Sequence, residues 1–145
     1  MRERAAIAAG FVIALVGTSL VPAATLDYDF YKAKVQPIFL AKRPGHAPCV
    51  MCHAEANNML RLEKLPAGQT AWTEDQTRKN FDTVSKIVQA ADDPLTAKLL
   101  THPLAPEAGG DAFHSGGRQF ADKNDPNYKA IAAWVKGATL APEKK

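Results

Sequence analysis

The run Cys49-Val50-Met51-Cys52-His53 constrains this chain more than any other part of it. Two thiols at this spacing lie about one helical turn apart on the same face, and an imidazole follows the second directly. Cys-x-x-Cys-His is the pattern of c-type haem attachment, in which each thiol adds to a haem vinyl group and the adjoining histidine sits beneath the iron. The chain contains no other cysteine. Covalent haem c is therefore the cofactor the sequence implies, held by Cys49 and Cys52 with His53 as the proximal iron ligand.

Three plainer readings use the same residues. A thioredoxin-type dithiol belongs to a βαβ setting, and the sequence offers no pair of strands for one. A zinc site would have to recruit histidines, but His102 and His114 stand twelve positions apart, wider than finger motifs use. A structural disulfide closing so short a ring removes little entropy from the unfolded chain, and it leaves His53 without a role.

Upstream, a charged start through Arg4, an apolar and small-residue run over residues 5–21, and Val21-Pro22-Ala23-Ala24 read as a secretory signal. The expected organisation is a signal peptide over residues 1–23, or an uncleaved anchor there, and one domain over residues 24–145. Export implies the periplasm, with membrane contact only through that leader. A net charge of +3 on the whole chain offers little to a phosphate backbone, so nucleic acid is not an expected partner.

Periodicity and punctuation predict helices. Tyr28, Tyr31, Val35, Ile38 and Phe39 recur at helical intervals behind Asp27 or Asp29, with Pro37 expected to kink that helix or to start a second short one. Thr73 with Gln76 has the spacing of a capping box, opening a long helix to about Ala91 with Thr77, Phe81, Val84 and Val88 on one face. Asp93-Pro94 and Asp125-Pro126 each place a cap before a proline, opening a short helix through Leu100 and a final one carrying Tyr128, Ile131, Trp134 and Val135. Gly137 suits the position just past that last helix. Phe30, Phe39, Phe81, Tyr128 and Trp134 are the expected aromatic core. The fold class is all-α.

Between the last two helices, residues 101–124 read as a long irregular connection, which a bound group on its inner side would explain. The second axial ligand is sought here. Phe113-His114-Ser115-Gly116-Gly117 sets an imidazole beside glycines that permit tight turns and close approach, which makes His114 the candidate distal ligand. His102 is the alternative, although at a helix end it also reads as a cation facing the helix C-terminus. His46 and Met59 lie close to the proximal motif in sequence, and Met51 points away from it. A vacant sixth position is a further alternative. Lys32, Lys34, Lys42 and Arg43 form a solvated basic face or a surface that steers an acidic redox partner.

Taken together, these pieces resemble a known family. Val35-Gln36-Pro37-Ile38-Phe39 ahead of the cysteine motif, Asp93-Pro94-Leu95, Gly109-Gly110, His114-Ser115-Gly116-Gly117, and Asp125-Pro126-Asn127-Tyr128 leading to Ala133-Trp134-Val135 resemble small monohaem cytochromes c of the planctomycete type. The likeness extends over most of residues 28–137. It implies a cytochrome c-like fold in which the N- and C-terminal helices pack around one haem, and electron transfer in the periplasm rather than enzymatic turnover. Implied partners are redox proteins such as a dehydrogenase or a terminal reductase or oxidase. No Met follows Met59, which departs from mitochondrial-like cytochromes c and their Met ligand. A haem-based small-ligand sensor with an open sixth site, or an electron-delivery subunit of a larger dehydrogenase, are the other functions the sequence admits.

Overall fold

A computed structural model describes residues 25–54 and 56–141. The expected leader over residues 1–23 lies outside the described residues. Among those described there is no strand, only isolated bridges, and the protein is all-α. No described helix is long and apolar enough to cross a membrane.

α1 (Tyr28–Phe30) begins on Asp27, whose carboxylate accepts from the Phe30 N–H at 2.6 Å. It runs straight into a π-helical turn (Tyr31–Val35) and then into α2 (Gln36–Leu40). Pro37 accounts for this. It has no N–H to donate and crowds the carbonyl four residues back, so the chain widens by one residue just upstream, and Gln36 donates to the Tyr31 carbonyl instead. Proline thus starts a second short helix without interrupting the run, and Tyr31, Val35, Ile38 and Phe39 stay buried.

α3 (Cys49–His53) carries the cysteine motif. α4 (Glu74–Gln89) opens on the Thr73/Gln76 capping box and buries Thr77, Asn80, Val84, Ile87 and Val88 at intervals of three and four. A 3₁₀ turn (Pro94–Thr96), capped by Asp93, leads into α5 (Lys98–Thr101), and α6 (Pro126–Val135) opens on Asp125. Gly137 closes α6 in the left-handed region at φ 89°. Tyr128, Ile131, Trp134 and Val135 are all buried along α6, each worth about 1.5–3 kcal/mol in apolar surface removed from water.

The helical run at the start packs on the last helix. Tyr31 meets Trp134 at 5.4 Å between ring centres, and Phe81 of α4 closes the cluster at 5.4 Å from Tyr31 and 6.0 Å from Trp134. Phe81 and Phe30 only half enter the core, whereas Phe39, Tyr128 and Trp134 are buried as the pattern predicts.

Residues 101–124 are more ordered than the sequence suggests. A 3₁₀ turn (Pro106–Ala108) lies within them, and the Ala105 N–H donates to the Phe120 carbonyl at 2.9 Å while the Phe120 N–H donates to the Pro103 carbonyl at 3.1 Å. The segment is held by its own backbone, so its length alone does not require a bound group.

Candidate functional site

α3 is placed by its second residue. Val50 turns into the core, which leaves Cys49 and Cys52 on the other side, with Cys49 half-buried and Cys52 exposed. Both are free thiols. Burial pushes the Cys49 thiol above its ordinary value, and the nearby Arg43 charge only partly opposes this.

His53, at the end of α3, is fixed twice by the segment that follows it. Its Nδ1 is 2.9 Å from the Leu60 carbonyl, and its own carbonyl accepts the Leu62 N–H at 2.9 Å. A ring that donates through Nδ1 to a carbonyl keeps Nε2 as a free lone pair, the arrangement that orients a metal-binding imidazole.

Cys49, Cys52 and His53 line one cavity of about 320 Å³. Its walls are mostly apolar, with Ile38, Phe39, Ile87, Leu99, Phe120 and Ile131 drawn from five parts of the chain. That size falls within the range of small-molecule and cofactor sites.

The distal segment brings His114 to the same cavity. Its ring centre stands 6.2 Å from that of His53, with the two planes 22° apart. The His114 Nδ1 is 2.6 Å from the Gly117 carbonyl, so this ring too is left with a free Nε2. Burial holds His114 below the usual imidazole range, His102, His53 and Arg118 act in the same direction, and the Gly117 carbonyl opposes them. The shift favours the uncharged ring that metal ligation requires.

Two glycines make this turn. Gly117 has φ 80°, a left-handed backbone, and the His114 ring lies against Gly116, where an added Cβ would stand 3.2 Å from Cε1. Gln119, buried, donates to the Gly116 carbonyl at 3.2 Å and to the Ala47 carbonyl at 3.3 Å, which ties the His114 turn to the segment entering α3.

His102 reaches the same cavity from the end of α5. Its ring sits edge to face with that of His114 at 4.7 Å, and its Nδ1 is 2.8 Å from Asp111 Oδ2. Asp111 also takes Lys98 Nζ at 2.8 and 3.0 Å. The Lys98 hydrogen bond, then that of His102, hold its carboxyl below the usual range.

Of the other sequence candidates, His46 and Met51 do not line the cavity, and Met59 lines it but is 64% exposed. Arg43 is not part of a free basic face: it pairs with Asp125 and lies over the Phe120 ring at 5.2 Å. Lys32 pairs with Glu74 at 2.5 Å, while Lys34 and Lys42 remain exposed. Asp111, Lys98 and Gln119 carry no local sequence signal for the part they play here, since each acts on a group brought close by the fold.

Two imidazoles sharing one metal ion, with bonds of about 2 Å and roughly 1 Å more from nitrogen to each ring centre, stand about 6 Å apart. His53 and His114 have that separation. Among the described residues no three His, Cys, Asp or Glu side chains converge as a metal cage. The chain matches no family model, no curated protein and no solved structure.

Proposed function

We propose that this chain is an exported electron carrier of the cytochrome c type, holding one covalent haem c through Cys49 and Cys52 with His53 and His114 as axial ligands. One observation carries the reading: the two thiols and His53 line an apolar cavity in which a second imidazole, that of His114, lies 6.2 Å from the first. The donor set fits the group, since the thiols are free, both rings keep an unengaged nitrogen and the walls are apolar. The packing of the first helical run on α6 through Tyr31 and Trp134 is what a cytochrome c-like arrangement asks for.

When bound, haem c supplies a one-electron couple between Fe(II) and Fe(III). The residues of this chain do the rest. Cys49 and Cys52 would hold the group to α3, while the Leu60 and Gly117 carbonyls hold His53 and His114 in one tautomer and orientation. Ile38, Phe39, Leu99 and Ile131 keep water from the cavity. Two fixed imidazoles limit rearrangement between redox states, and the absence of a thioether ligand favours a lower potential than a His/Met pair gives. Donor and acceptor are redox proteins of the exported compartment, with a dehydrogenase or a terminal reductase or oxidase as the fitting classes.

The test is expression of the full chain with its leader in cells that mature c-type haem. The expected product is coloured, heavier than the processed chain by one haem that survives denaturing extraction, low-spin, and indifferent to CO when reduced. Colourless protein with the mass of the bare chain would falsify the proposal. Complete and immediate CO binding would move the function to a small-ligand sensor.

A further inference from the structure

Two imidazoles, not one, line the distal side of the cavity, and each has its Nδ1 committed elsewhere. His114 donates its Nδ1–H to the neutral carbonyl of Gly117, and His102 donates its Nδ1–H to the carboxylate of Asp111. Both rings keep Nε2 free, and their centres are 4.7 Å apart, a distance that a change of side-chain rotamer spans. We infer that His102 is a reserve ligand for the metal position of His114, so that the site has two alternative distal imidazoles; this rests on the haem reading above.

The two rings differ in how they are held. His114 stands in a turn whose far end is Gly117 in a left-handed conformation, next to the exposed Phe113 and Ser115. His102 caps α5, which is anchored by buried Leu99 and Leu100, and its partner Asp111 is fixed by Lys98 and by its own N–H to the Thr101 carbonyl at 2.9 Å. Exchange therefore has to release the His114 turn from its ties at Gly117 and Gln119 and to turn the His102 ring toward the position His114 leaves. Exchange breaks one metal–nitrogen bond and makes another. Each imidazole keeps its Nδ1 proton, and no electron is gained or lost.

The exchange would change what the site does. A carboxylate acceptor makes its imidazole a more basic ligand than a carbonyl acceptor does. With Asp111 following the ring, ligation by His102 would favour Fe(III) more than ligation by His114, so the two ligands would give the carrier two redox levels. The sixth position also stays filled when His114 leaves, which keeps small ligands out.

The experiment uses the full-length, haem-loaded protein and the variants His102→Ala, His114→Ala, both together, and Asp111→Asn in the His114→Ala background. Each is read by intact mass, absorbance and EPR, CO binding and midpoint potential. His102→Ala is expected to stay low-spin and indifferent to CO, because His114 still fills the position. His114→Ala is expected to remain low-spin and indifferent to CO at a lower potential, and only the double variant turns high-spin and takes CO. Asp111→Asn in the His114→Ala background is expected to raise the potential again. His114→Gln replaces His114→Ala if the latter does not fold.

The inference is overturned if His114→Ala binds CO at once, as the double variant does. It is equally overturned if His102→Ala alone turns high-spin and takes CO, which makes His102 the resident ligand. Wild-type protein whose mass shows no covalent haem removes the underlying reading and this inference with it. Haem-loaded wild type with a CO-reactive His114→Ala variant removes this inference alone.

Discussion

Trp134 donates its indole N–H to the backbone carbonyl of Asp27 at 2.8 Å, joining the last helix to the residue that caps the first. The Trp134 side chain is fully buried, and the same Asp27 carbonyl also accepts the Tyr31 N–H at 3.1 Å. One residue therefore fixes both the start of α1 and its distance from α6. Replacing Trp134 by Phe keeps most of the packing and removes the donor, at an expected cost of about 1–2 kcal/mol. Replacing it by Ala empties the aromatic cluster with Tyr31 and Phe81, at an expected cost of about 3–5 kcal/mol. Urea unfolding of the two variants measures the difference, and equal losses would show that the hydrogen bond carries nothing separable.

Gly110 is needed for space rather than for its dihedral freedom. A Cβ there would stand 2.0 Å from the Leu104 carbonyl oxygen, a backbone atom of the segment paired with Phe120. Gly45 is the opposite case, with φ 76° and nothing within 4 Å of an added Cβ. Gly45→Ala is expected to cost about 1 kcal/mol through backbone strain alone. Gly110→Ala is expected to cost more, about 1–3 kcal/mol from overpacking on top of a displaced Leu104–Phe120 pair. Thermal denaturation of the two variants side by side gives the ranking.

The features readable in the sequence are those whose cause is local in the chain. Thr73 reaches only as far as Gln76, and Asp93 and Asp125 cap their turns two or three residues on, so these starts follow from spacing alone. The cysteine motif was legible for the same reason, since one helical turn carries it. What stayed hidden depends on distant partners. The order within residues 101–124 depends on a bridge from Leu104 to Phe120. His114 was visible as an imidazole next to glycines, but its distance from His53 was not, and neither was the Asp111 that holds His102. Arg43 read as surface charge because its partner, Asp125, is a neighbour only in the fold.

Gly116 gives the His114 ring its place. An added Cβ would meet Cε1 at 3.2 Å and Nε2 at 3.4 Å, so a methyl group pushes the ring by a few tenths of an ångström and a branched side chain pushes it further. On the proposed haem reading, Gly116→Ala is expected to leave the loaded protein low-spin with a shifted potential. Gly116→Val is expected to strain the 2.6 Å hydrogen bond to the Gly117 carbonyl and to displace the His114 ring from its place opposite His53. Absorbance and EPR of the two variants measure this, and a Gly116→Val protein with wild-type g-values and potential would show that the ring does not rest on Gly116.

Asp125 links acid stability to the site. Its carboxylate caps α6 through the Asn127 N–H at 2.8 Å and the Tyr128 N–H at 3.3 Å, and it pairs with Arg43, which covers Phe120 in the cavity wall. Burial raises its pKa, but the Arg43 and backbone hydrogen bonds outweigh burial and leave it below the usual aspartate value. A carboxyl depressed on folding contributes stability that is present above its unfolded pKa of about 4 and is lost as the pH falls through the lower folded value. Asp125→Ala also removes the cap and leaves Arg43 half-buried and unpaired, so at pH 7 the expected loss is about 2 kcal/mol. At pH 3 the wild type has already given up part of this contribution, and the gap between the two proteins should narrow. Urea unfolding at both pH values tests the sign: a gap that widens on acidification would mean that the carboxyl is raised on folding, and that Arg43 does not hold it.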